Sequence, residues 1–133
     1  MLESPNDRAY VGREFLDRFG IEGIAHAIRQ DLCQRNGREG PVIIDAIRFP
    51  ETVRSLQSWR TSLVVFLSAP RDVRMKRLHQ RFAGSSPEDR TKRMAAYLEY
   101  DQAAESVYPL ADLTYENVSN LSELERFAQK IVG

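Results

Sequence analysis

The sequence predicts an α/β fold with a mostly parallel sheet. Three observations carry this. Short apolar runs alternate with segments of helical periodicity. The runs Val42–Asp45 and Ser62–Ser68 show no polar alternation, as strands covered on both faces do not. A helix-start signal follows each run: Pro50, Pro70 and, after Asp112–Val118, Asn120.

Taken in order, residues 6–19 read as a helix with Val11, Phe15 and Phe19 at four-residue spacing, ended by Gly20. Residues 22–35 read as a second helix, with Ile21, Ile24, Ala25, Ile28 and Leu32 on one face. Asn36-Gly37 stops it, and residues 38–41 turn. Val42–Asp45 is the first expected strand, and Pro50 opens a short helix carrying Val53 and Leu56. Ser62–Ser68 is the second strand. Pro70 then sits near the first turn of a helix whose apolar face is Met75, Leu78 and Phe82. Residues 83–90 hold a loop and a new start: Ser86 as N-cap, Pro87 first in the helix, Glu88 and Asp89 at its positive end. That helix is expected to reach about Tyr108. Asp112–Val118 is the third strand. Asn120 caps the last helix with Glu123 as a capping box, and Leu121, Leu124, Phe127, Ala128 and Ile131 form its stripe.

The 133 residues suggest a single domain spanning 1–133, long enough for one hydrophobic core. Formal net charge is zero, which gives the chain no overall bias toward nucleic acid or a membrane surface. The longest apolar run, Leu63–Leu67, is too short to span a bilayer, and the N-terminus has no secretory apolar region. A cytoplasmic protein is the expectation. Cys33 is the single cysteine, so no internal disulfide forms, and no Cys/His cluster has metal-ligand spacing. Of the 19 basic residues 16 are arginines, the better bidentate partners for carboxylate and phosphate; genome composition produces the same skew.

In open parallel sheets, ligands bind beyond the C-terminal strand ends. The residues that follow the expected strands are Asp45 and Arg48, Ser68 and Arg71, and Glu116, Asn117 and Ser119. Asp45 suits Mg²⁺ ligation through water, or a base toward a hydroxyl, and equally a cap on the following turn. Arg48 suits a phosphate clamp or a solvated loop. The densest basic stretch is 71–93. Arg74, Arg77 and Arg81 recur at helical spacing and share one face; Arg90 and Arg93 share another across the Gly-Ser-Ser-Pro loop. Two such helices could close over a polyphosphate, or simply be solvated amphipathic helices paired with Asp72, Glu88 and Asp89.

The segments VIIDAIRFPETVRSL, LVVFLSAPRDVRMKRLHQR, EDRTKRMAAYLEYD and ADLTYENVSNLSELE, in this order, resemble the P-loop nucleotide kinases, in particular the nucleoside-monophosphate-kinase and dephospho-CoA-kinase-like branch. The resemblance covers about residues 6–132. It implies a three-layer P-loop-kinase-like domain and ATP-dependent phosphoryl transfer to a nucleotide or related small acceptor, with ATP and Mg²⁺ as cofactors. Residue by residue, Asp45 matches the acid that helps hold Mg²⁺ or the acceptor, and Arg48 the acceptor-binding arginine. Arg77 and Arg81 match the start of the lid, about 77–93, and Arg90 and Arg93 its far side. Asn117 matches the residue near the nucleotide base. Ala46 stands where the family has glycine.

The family's phosphate-binding loop, Gly-x-x-x-x-Gly-Lys-Ser/Thr, does not occur in these 133 residues, and no lysine precedes Lys76. With it goes the first, central strand of the sheet. Three explanations are open: an N-terminally short kinase, a natural pseudokinase, or a sheet completed by a second chain. The expectation is a kinase-like domain inactive, or nearly so, as a lone chain, or an interaction module that dimerises or docks a partner through its sheet.

Overall fold

The computed structural model describes residues 5–35 and 41–133. The chain is a small α/β protein that forms two compact units, Met1–Ser62 and Leu63–Gly133.

The first unit holds α1 (Pro5–Gln34) and α2 (Pro50–Trp59). Gly20, with φ 69° and ψ −179°, breaks the helical path inside α1. That backbone region is open almost only to glycine, which is why two periodic stretches meet at this residue. Ala25 of α1 and Thr52, Val53 and Leu56 of α2 are buried. Pro50 begins α2 where its missing N–H costs nothing, and Glu51 stands in the first turn.

The strand expected at Val42–Asp45 does not form. Residues 41–49 have no regular secondary structure, and Ile43 is 83% exposed. An extended segment becomes a strand only by exchanging backbone hydrogen bonds with a neighbour. Among the described residues, the first unit offers it no strand to pair with.

The second unit runs β1 (Val65–Ser68), α3 (Arg71–Arg81), α4 (Pro87–Glu105), a 3₁₀ turn at Tyr108–Leu110, β2 (Leu113–Glu116) and α5 (Leu121–Val132). The strands pair in parallel, with Val65 opposite Leu113 and Ser68 opposite Glu116. Among the described residues the sheet thus has two strands where three are expected, and each is shorter than the strand expected there. At one end the Asp112 carboxylate takes the Val64 N–H at 2.7 Å; at the other, Asn117 N donates to Ser68 O at 2.7 Å.

Leu78, Phe82 and Met94 form the core between α3 and α4, with Met75 against it. Stacked Tyr115 and Phe127, 4.5 Å between centroids, join β2 to α5. Ser86 caps α4 by accepting from Asp89 N, and Asn120 caps α5 by accepting from Glu123 N at 3.1 Å. Among the described residues, no helix is long and apolar enough to cross a membrane.

Candidate functional site: an arginine-lined cleft on α3 and α4

Helical spacing puts Arg74, Arg77 and Arg81 on one face of α3, and Tyr97 and Asp101 on one face of α4. Together with Leu78 they line a cleft of about 220 Å³. Arg74 is engaged: its Nη1 donates to Asp101 Oδ2 at 2.8 Å, and its Nη2 lies 3.6 Å from Glu105 Oε1. Arg74 Nε is buried without an acceptor. The Arg81 guanidinium sits 5.5 Å from the Tyr97 ring centroid, a cation–π contact that holds the aromatic wall. Neither Arg77 nor Arg81 has a carboxylate within ion-pair distance among the described residues. The cleft therefore presents two uncompensated guanidiniums beside one compensated one. Chemically, it can bind and orient an anion.

The far-side arginines are placed differently. Arg90 Nε donates to Phe82 O at 3.3 Å, and its Nη2 donates to Ala83 O and Ser85 O at 3.2 and 3.4 Å. Those carbonyls lie at the C-terminal end of α3 and in the turn after it, beyond the reach of the helical ladder; Phe82 O also accepts the Ser85 N–H at 3.0 Å. Arg93 lies 3.1 Å from Asp89 Oδ2 through Nε, an ion pair without hydrogen-bond alignment, and its guanidinium stands 5.7 Å from the Phe82 ring. Both side chains hold the α3–α4 hairpin together. Asn117 follows β2 directly and is half-buried, its N–H committed to Ser68.

Asp45 and Arg48 belong to the first unit. Asp45 is exposed, and its Oδ1 accepts the N–H of Ala46 at 2.7 Å. Ala46 has φ 62°, the one non-glycine residue with positive φ among those described. Left-handed backbone costs a non-glycine residue about 1 kcal/mol or more. The position where the resembled family carries glycine thus has a backbone that favours glycine. Arg48 is half-buried and engaged by the protein.

The first unit also holds a cleft that sequence reading passed over. It measures about 350 Å³ and is lined by Ile21, Glu22, Ala25, His26, Arg29, Glu51 and Ser55. Arg29 Nη2 donates to Ser55 O and to Ser55 Oγ, the latter at 2.6 Å, tying α1 to α2. The four-residue step from Glu22 to His26 was the available signal, but nothing in the sequence links it to Glu51 or Ser55. In the arginine cleft, the residue missed was Asp101. Its signal was the same four-residue step from Tyr97.

Among the described residues, no group of three His, Cys, Asp or Glu side chains could hold a metal ion. No protein-family model matches this chain, and no curated protein or solved structure matches it.

Proposed function

We propose that the chain is a nucleotide-kinase-like domain that binds a phosphate-bearing small molecule, such as a nucleotide, in the arginine cleft. The observation that carries this reading is the pair of uncompensated guanidiniums, Arg77 and Arg81, on one wall of a cleft of about 220 Å³. Guanidinium forks match phosphate oxygens two at a time, as they do carboxylate, and a phosphate brings more charge and more oxygens for two guanidiniums to share. The parallel β1–β2 pair with α3 and α4 between its strands supports the reading, since the resemblance implies an arginine-rich lid between two strands of a parallel sheet.

The family's ATP and Mg²⁺ fit this chain poorly. Asp45 is exposed and its Oδ1 accepts the Ala46 N–H, and among the described residues it belongs to no group of three His, Cys, Asp or Glu side chains that could hold a metal ion. Mg²⁺ is commonly held by one or two carboxylates together with substrate phosphates, so Asp45 alone makes no resident site. The phosphate-cradling loop is also absent from these residues. We therefore assign the chain binding, and no phosphoryl transfer on its own. Calorimetric titration with ATP-Mg²⁺ and a panel of nucleoside monophosphates tests both halves. Binding without turnover supports the reading. Turnover at about 1–100 per second overturns the inactivity, and absence of any phosphate-ligand binding overturns the site.

A second reading, an interaction module that pairs through its sheet, has one observation of its own. Leu67 is 53% exposed and Leu113 39% exposed on a two-stranded sheet, while Leu121, the first residue of α5, is 68% exposed. Two strands alone are marginally stable in water, and bare apolar strand faces favour association. A stable dimer indifferent to nucleotide distinguishes this reading from the first.

A further inference from the structure

Resting on the anion-binding reading of the cleft, we infer that Asp101 is a built-in counter-ion that occupies Arg74 and holds the cleft in a low-affinity state for phosphate ligands. Three arginines share the α3 face, but they are not equivalent. Arg77 and Arg81 point no ion pair at a carboxylate, whereas Arg74 is bound by Asp101 at 2.8 Å and approached by Glu105 at 3.6 Å. Asp101 is itself part of the cleft lining. An incoming phosphate meets the Asp101 charge directly, and it gains Arg74 only by displacing that carboxylate.

Structure alone gives Asp101 little to do. Arg74 and Asp101 are 28% and 34% exposed at their side chains. Ion pairs this wet typically contribute at most about 1 kcal/mol to stability. The apolar core of the hairpin is built from other side chains, Leu78, Phe82 and Met94, of which Leu78 also borders the cleft. What the pair does control is charge. With Asp101 in place the cleft offers two guanidiniums without a carboxylate partner; without it, Arg74 keeps only the longer Glu105 contact and joins them along one helix face. Arg74 Nε, buried and without an acceptor, shows that the Asp101 contact leaves part of the guanidinium's donor capacity unused. A tetrahedral anion with several oxygens can use what one carboxylate does not. Glu105, 62% exposed and longer in its contact, is the weaker partner and serves as the internal control.

The test is calorimetric titration of the full chain with inorganic pyrophosphate. Asp101→Asn preserves the shape of the side chain and removes its charge. The expected result is binding roughly tenfold tighter than wild type, a gain that Arg74→Ala in the Asp101→Asn background reverses, and a smaller change for Glu105→Gln. Binding by Asp101→Asn where the wild type shows none supports the inference equally. Affinity that is unchanged or weaker in Asp101→Asn, with wild-type binding lost on Arg77→Ala, overturns the counter-ion role and leaves the cleft as the site. No binding by either protein overturns the site and the counter-ion together. Should Asp101→Asn fail to fold, the arginine Nε–H resonances of the wild type decide. The inference predicts that saturating pyrophosphate shifts the Arg77 and Arg81 resonances strongly and leaves Arg74, held by Asp101, little moved; an Arg74 shift as large as theirs contradicts it.

Discussion

Arg90 reaches back from α4 to the end of α3 and donates to the carbonyl of Phe82, whose ring lies in the core between the two helices. The same guanidinium takes Ala83 O and Ser85 O. One side chain thus closes both the helix terminus and the turn that follows. Hydrogen bonds from a charged donor are worth about 1.5–3 kcal/mol each when well formed. These are long and partly exposed, so Arg90→Ala is expected to destabilise the second unit by about 1–2 kcal/mol in total. Urea denaturation followed by circular dichroism measures it. If Arg90 served the ligand and not the hairpin, the loss would appear in phosphate affinity with stability unchanged.

The backbone at Ala46 makes a separate prediction. Its φ of 62° is a region glycine enters freely. Ala46→Gly relieves about 1–2 kcal/mol of strain and adds about 0.5–1 kcal/mol of unfolded-state entropy. The net expected effect is stabilisation by up to about 1 kcal/mol, read as a higher denaturation midpoint. A destabilised Ala46→Gly protein would mean that the turn is not held in the left-handed conformation.

Ser86 begins α4, and its Oγ accepts from Asp89 N at 3.3 Å. Removing such a cap typically costs about 1 kcal/mol. Ser86→Ala should lower stability by that amount, whereas Ser86→Asp should retain it, since a carboxylate caps the positive helix end as well. Equal losses in both variants would assign the effect to the turn and not to the cap.

The half-exposed Leu67, on the sheet face that α5 covers at Tyr115, predicts self-association. Leu67 and its register partner Tyr115 face the same side, and Leu67 is half-exposed. If that face mediates pairing between copies, sedimentation velocity will show a dimer at high protein concentration that Leu67→Lys disperses. A monomer at every concentration removes the dimerising form of the interaction-module reading.

Legibility in the sequence followed the range of the forces involved. The caps at Ser86 and Asn120, the break at Gly20 and the apolar faces of α2 and α3 depend on residues within one or two turns, and all were readable there. The general α/β class followed from the alternation of elements. Val42–Asp45 was misread as a strand because an apolar run records a preference for burial, while a strand also needs a partner at ladder distance. The site divided in the same way. The shared face of Arg74, Arg77 and Arg81 is a helical repeat and could be counted off. That Arg90 closes a turn, that Asp101 lies against Arg74, and that Glu51 and Ser55 share a cleft with His26 depend on how two helices pack, which no local spacing encodes.

The claim on which the account turns is that the α3 face of the cleft binds phosphate through Arg77 and Arg81. Isothermal calorimetry with pyrophosphate, comparing the wild type with the Arg77→Ala/Arg81→Ala double variant, tests it most directly. Both residues are exposed, so the double variant is expected to fold with little change in stability. The account predicts that its affinity falls by roughly tenfold or more, with a shallower dependence on salt. Equal pyrophosphate affinity in the two proteins would contradict it.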